Sequence, residues 1–148
     1  MAATFREIWI INVYAPSGMA MKQERKLFFN NELPYLLTGE TGHTLLGGDF
    51  NYILEASDTT GGFTLSRVLQ ELVHGLTLID TWHGNPTRKV YIHYSASTAI
   101  RIHRIYTTRE LLERKLDVEA ILAPITDHFA VCLRISIDLP IMRRGCGL

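Results

Sequence analysis

Asp49 and Asn51 flank Phe50 at the end of an apolar run, "LLGGDFN", that closes through two glycines. If the run is a strand, residues i and i+2 share a face, so a carboxylate and an amide would point the same way at its C-terminal end. One acceptor and one donor in that arrangement suit a small anionic group or a hydrated metal ion. Three further constellations put polar residues where packing does not ask for them. They are Asn12-Val13-Tyr14-Ala15-Pro16, Arg101-Ile102-His103-Arg104-Ile105-Tyr106 and Thr126-Asp127-His128. Taken singly, each has an ordinary explanation. A tyrosine ending a strand lids a core, an aspartate after glycines forms a turn, and a lone histidine is more often structural than catalytic.

These residues need elements to position them. Residues 7–14, "EIWIINVY", form a nearly continuous apolar, β-branched run, expected as a strand buried on both faces. Residues 19–37 carry an amphipathic helical pattern in which Pro34 should kink or break the helix. Thr44–Phe50 is the second expected strand, and 55–62, "EASDTTGG", a polar loop. Leu65, Val68, Leu69, Leu72, Val73 and Leu76 recur at helical spacing, with Gly75 near the helix end. "LTLID" resumes strand character and "HGNP" should turn. Val90–Tyr94 and Ile102–Tyr106 are expected as short strands, 109–116 as a helical turn or two, and 129–137 as the last strand. Strands mixed with helices, without regular βαβ spacing, imply a layered α/β (α+β) fold. One domain over 1–137 is expected, with 138–148 a tail.

The chain has 148 residues, with Lys plus Arg and Asp plus Glu equal at 15 each. That length allows one real core, and the balanced charge gives no overall basic field, although local patches could still grip phosphates. Arg101, Arg104, Arg109, Arg114 and Lys115 are the local candidates, Arg101 and Arg104 foremost. The two cysteines, Cys132 and Cys146, do not suggest a disulfide framework, so a reduced intracellular setting is expected. No apolar run approaches the ~18–20 residues of a transmembrane helix, and no membrane partner is expected. His43, His74, His83 and His93 are not spaced as metal-ligand pairs. Trp9 and Trp82 read as packing residues.

Taken in order, the blocks "NVYAPSG", "LLGGDFN", "LIDTW", "YIHYSAS", "RIYTTRELL" and "TDHFAV" resemble the endonuclease/exonuclease/phosphatase superfamily. More specifically, they resemble the endonuclease domain of non-LTR (LINE-type) retrotransposons, from about Ile8 to Ile137. The resemblance implies a four-layer αββα sandwich of the DNase I-like type, here partial, with a phosphodiester-cleaving site at one end of the sheets. It implies that Tyr14 leans on the scissile phosphate and that Asp49 aligns or deprotonates the attacking water. Asn51 would donate to the phosphoryl oxygens, Asp127 would hold a divalent metal (Mg²⁺ or Mn²⁺), and His128 would bind a non-bridging oxygen. DNA is the implied partner, together with a reverse transcriptase domain on a longer polyprotein and a nuclear location if functional.

Two departures from that pattern stand out. The family's domain opens with a strand ending in a metal-proximal Asn and another ending in a metal-binding Glu, both before the "NVYAPS" strand. Seven residues precede Ile8, so the N-terminal third and its primary metal ligand are expected to be absent, leaving an exposed sheet edge prone to self-association. Second, His103 stands where the family has the Asp that orients the catalytic His. A second imidazole is expected to lose that role, since two protonated rings repel. The expected function is therefore DNA nicking, impaired at these positions. The rivals are a catalytically dead module that binds nucleic acid or protein, and a phosphatase or repair nuclease.

Overall fold

The computed structural model describes residues 7–37, 43–62, 65–82, 91–94, 97–122, 124 and 128–137. Asp127, the "HGNP" turn, the 138–148 tail and Cys146 lie outside the described residues.

β1 (Ile8–Tyr14) pairs in parallel with β2 (His43–Asp49), and β2 pairs antiparallel with β6 (His103–Thr107), which also pairs with the short β3 (Ile79–Asp80). The sheet order is therefore β1-β2-β6-β3. Two antiparallel ribbons stand apart from it: β4 (His93–Tyr94) with β5 (Ala99–Ile100), and β7 (Lys115–Leu122) with β8 (Phe129–Ile135).

Strand alternation decides which side chains face which layer. Val13, Leu46 and Tyr106 point to one face and join Phe29, Leu33, Leu37, Phe50 and Leu69 in the core. Those partners come from the stretch Phe28–Glu32 that follows α1 (Lys22–Leu27), from α2 (Leu33–Leu37), from α3 (Arg67–Gly75) and from the loop after β2. α3 follows the predicted helical spacing closely. Ser66 caps it by accepting the Leu69 N–H at 3.2 Å, and Leu69 is fully buried. Between α1 and α2, Phe28–Glu32 adopt a π-helical stretch. It ends just before Pro34, whose missing amide hydrogen leaves the tighter α ladder a bond short. The helix widens where a break was expected.

On the opposite face, Ile10, Leu45 and Ile105 look toward Val131, Leu133 and Ile135 of β8 across a groove of about 380 Å³. This face corrects one expectation. β1 is an edge strand, and Ile10 is 76% exposed, not buried on both sides. Among the described residues, β8 packs against β6, and β1 has a neighbouring strand on one side only.

The glycines of β2 are needed where neighbouring strands come close. Gly48 sits at φ +140°, and a Cβ there would collide with the Val13 backbone of β1. At Gly47 a Cβ would lie 3.3 Å from the Ile105 side chain on β6. Both serve the approach of neighbouring strands. Gly75, in contrast, has nothing near a Cβ. Gly48→Ala is expected to cost more than about 3 kcal/mol, because strain and collision add. Gly75→Ala should be neutral or stabilise by up to about 1 kcal/mol. Urea denaturation of the two variants checks the contrast; equal small losses would contradict it.

Candidate active site

Register brings the first three residues together. Tyr14 is the Cα partner of Asp49, and Asp49 is the partner of His103, so the three stand in a row across the C-terminal end of β1 and β2. Tyr14 is 73% exposed and open to a ligand. The loop after it is stapled by buried Arg25, which donates to the Pro16 carbonyl at 2.7 Å and the Gly18 carbonyl at 2.9 Å.

Asp49 ends β2, and strand geometry does not continue to Asn51. Asn51 has φ +49°, its backbone N–H donates to Asp49 Oδ1 at 2.8 Å, and its side-chain amide donates to the Ala15 carbonyl at 2.8 Å. The expectation that Asp49 and Asn51 share a strand face is thus corrected. An Asx-type turn locks the two residues together, and one amide hydrogen of Asn51 is already committed to tying β2 to the loop after β1.

His128, just before β8, pairs its backbone with His93 and reaches back to the row. Its Nδ1 lies 3.0 Å from His103 Nε2, with the rings stacked at 4.9 Å and 17°. His103 Nε2 lies 3.4 Å from Asp49 Oδ2, and His103 Nδ1 lies 3.0 Å from the Phe129 carbonyl oxygen. A carbonyl can only accept, so Nδ1 carries the hydrogen. His103 therefore bridges the carboxylate and His128, where the sequence had suggested only loss of an orienting group. Burial works against charging His103, but the hydrogen bond its ring donates to Asp49, the Phe129 carbonyl and the Asp49 charge outweigh it, and its pKa rises above the ordinary histidine value.

Arg101 and Arg104 are placed differently from their expected phosphate-binding role. Arg104 is 2% exposed and is held between Asp58 and Asp80, its Nη1 lying 2.6 Å from Asp80 Oδ2. Arg101 joins the same knot, with Nε 3.1 Å from Asp58 Oδ1 and Nη2 3.0 Å from Asp80 Oδ2. Asp58, 1% exposed, also accepts the N–H groups of Leu54 at 3.1 Å and Glu55 at 2.9 Å. Two cations neutralise two anions inside the fold, so their charge is spent on structure. Lys115 is likewise engaged, donating to the Thr81 carbonyl at 2.8 Å.

Asp58 and Asp80 were not singled out from the sequence. The only hints were an aspartate three residues after Glu55, a capping-box spacing, and the acidic end of "LIDTW". His93 was set aside for its spacing, yet its ring packs 4.8 Å from that of His128. Folding supplied that proximity.

Among the described residues, Asp49, His103 and His128 are the His/Cys/Asp/Glu group able to hold a metal, their donor atoms all within 4.8 Å of one another. One carboxylate with two imidazoles does not fit Mg²⁺, a hard ion that prefers oxygen ligands. The expected ligand Asp127 lies outside the described residues.

The strand order, the sheet-end row and the groove can be set beside known structures. The chain superposes on an AP endonuclease from Archaeoglobus fulgidus with a TM-score of 0.71 at 18% identity, over 88% of this chain and 62% of that one. It superposes on the 3′ phosphatase NExo from Neisseria, solved with a product DNA hairpin, with a TM-score of 0.70 at 19% identity, over 86% and 60%. The Xenopus laevis APE2 catalytic domain gives 0.60 at 22% identity, over 86% and 49%. The chain shares the fold of these proteins. Its DNase I-like fold is thus the one expected from the sequence blocks.

No protein-family model matches the chain. In sequence it is 36% identical over 140 residues to the transposon TX1 uncharacterized 149 kDa protein of Xenopus laevis. That match covers 86% of this chain and 10% of the transposon protein, and it is consistent with the LINE-type resemblance. The chain therefore spans about a tenth of the transposon protein and under two thirds of each of these solved structures. Among the described residues no helix is long and apolar enough to cross a membrane.

Two outcomes follow from this geometry. Asp58→Ala would leave Arg104 and Arg101 sharing Asp80 alone, one positive charge in excess inside the fold, with an expected loss of about 3–5 kcal/mol in urea unfolding; a loss under about 1 kcal/mol would count against the knot. Because the folded-state pKa of His103 is raised, its stabilising charge is fully present below the unfolded value of about 6.5 and is lost as pH rises through the folded value. In chelator-containing buffer, the Tm gap between the native chain and His103→Gln should be widest below about pH 6.5 and shrink at higher pH. A gap that widens with pH would contradict this sign.

Proposed function

We propose that this chain is the phosphodiester-cleaving domain of a LINE-type mobile element, a DNA-nicking hydrolase weakened by His103. The observation that carries this reading is the row Tyr14–Asp49–His103, joined by His128, at one end of an endonuclease/exonuclease/phosphatase-type sheet. Hydrolysis of a phosphodiester is mostly positioning and charge stabilisation, and this row offers the parts. Asp49, held through Oδ1 by the Asn51 N–H, keeps Oδ2 to align or deprotonate a water. His128 supplies an imidazole for a phosphoryl oxygen, and the second amide hydrogen of Asn51 can serve the same group. Exposed Tyr14 gives the phosphate an edge to rest on. A divalent ion, when bound, would neutralise charge developing on the phosphoryl oxygens, and Asp127 is the carboxylate a hard ion would need. A DNA strand is the proposed substrate, and a reverse transcriptase domain on the same polyprotein the proposed user of the nick.

The second reading, a binding module that no longer cuts, is favoured by one observation: His103 holds both Asp49 and His128 by their reactive atoms. Nicking of supercoiled plasmid by the chain in Mg²⁺ or Mn²⁺ separates the two. Under the hydrolytic reading Asp49→Ala lowers the rate by about 10²–10³-fold, and His103→Asp raises it by about 10–100-fold. Small phosphoesters should be poor substrates beside plasmid. Cleavage that survives Asp49→Ala would overturn the assignment. DNA retained on a filter without nicking, under every ion and in His103→Asp, would establish the binding module instead.

A further inference from the structure

We propose that Asp49 Oδ2, His103 Nε2 and His128 Nδ1 form a binding site for a zinc-class transition-metal ion, created in this chain by His103. This inference stands on geometry and does not need the hydrolytic reading to hold.

Spacing is the first support. Ligand atoms about 2.0–2.1 Å from a tetrahedral Zn²⁺ lie about 3.3 Å from one another. Here His128 Nδ1 and His103 Nε2 are 3.0 Å apart, and His103 Nε2 and Asp49 Oδ2 are 3.4 Å apart. The third separation is within 4.8 Å, so a modest turn of one side chain closes the triangle.

Orientation is the second. A metal-binding histidine commonly donates its other ring N–H to a carbonyl, which fixes the tautomer and aims the lone pair. His103 Nδ1–H does this toward the Phe129 carbonyl at 3.0 Å, so that in the neutral ring, the form a metal ion binds, Nε2 presents its lone pair toward Asp49 and His128. Asp49 is similarly braced, with Oδ1 accepting the Asn51 N–H at 2.8 Å. His103 and Asp49 thus have supporting partners in place before any ion arrives.

Donor chemistry is the third. Imidazole suits Zn²⁺, Co²⁺ and Ni²⁺, whereas an all-oxygen set suits Mg²⁺ and Mn²⁺. Two nitrogens and one oxygen make an open three-ligand set of the catalytic zinc type, with the fourth position left for water or an anion. A carboxylate at position 103 would have made the cluster oxygen-rich. The histidine therefore changes which ion the site selects.

The test is a Co²⁺ titration of the full chain in chelator-cleaned buffer at neutral pH, read by visible absorption. One equivalent should produce the strong ligand-field bands of four-coordinate Co²⁺. Zn²⁺ should displace them stoichiometrically, while a large excess of Mg²⁺ should not. His103→Asp, with its folding checked by circular dichroism, should weaken Co²⁺ binding by at least the ~10–100-fold that disturbing a ligand's support costs. His74→Gln, on the exposed side of α3, should leave the bands unchanged. Absence of bands in the native chain overturns the proposal, and so do bands that persist unaltered in both His103→Asp and Asp49→Asn. Should either variant fail to fold, ring-proton NMR of the native chain decides: Zn²⁺ must shift the His103 and His128 resonances together. None of these readouts depends on plasmid cleavage, so a silent nicking assay leaves this result intact.

Discussion

The arrangement of this molecule depends on a buried knot of two arginines and two aspartates. Arg104 on β6 reaches Asp58 in the loop after β2 and Asp80 on β3, with Arg101 closing the set. Charges this far removed from water persist only when paired. Here Asp58 also takes two backbone N–H groups, and Asp80 takes that of Trp82 at 3.0 Å. The knot fixes the path of the chain on both sides of His103. A shift in β6 would carry His103 away from Asp49, so the polar interior sets the position of the sheet-end row.

Glycine sets the same geometry from the other side. Gly47 and Gly48 let β1, β2 and β6 approach closely enough for Tyr14, Asp49 and His103 to align. At that end of the sheet the polar groups hold one another in place. Asn51 ties Asp49 to the loop after β1, the Phe129 carbonyl orients His103, and His103 meets His128. A histidine among these groups is more than a damaged carboxylate. It is a bridge whose lone pair faces two other donors, and it changes both the charge and the ion preference of the site.

The main elements were legible in the order of residues. Helical spacing from Leu65 to Leu76 marked α3 because an amphipathic stripe is a local property. The strands at Ile8–Tyr14, His43–Asp49 and Phe129–Ile135 were marked by β-branched and alternating runs. Errors fell where neighbours decide the outcome. β1 looked buried on both faces, but burial depends on what lies beside a strand, and β1 is an edge. Asn51 looked like a continuation of β2, but a left-handed backbone there turns its amide toward Ala15. Arg101 and Arg104 looked free for phosphate because an arginine in a strand pattern carries no sign of the carboxylate it will meet.

The sequence by itself determined which chemical groups are available and which family of folds would carry them, since strand ends, glycine pairs and short polar blocks are written locally. Only the tertiary structure decided that residues 49, 103 and 128 share one small volume and that Asp58 and Asp80 consume the arginine charge. Those outcomes are contacts between segments tens of residues apart. Their energies come from desolvation and pairing, which no local pattern of residues encodes.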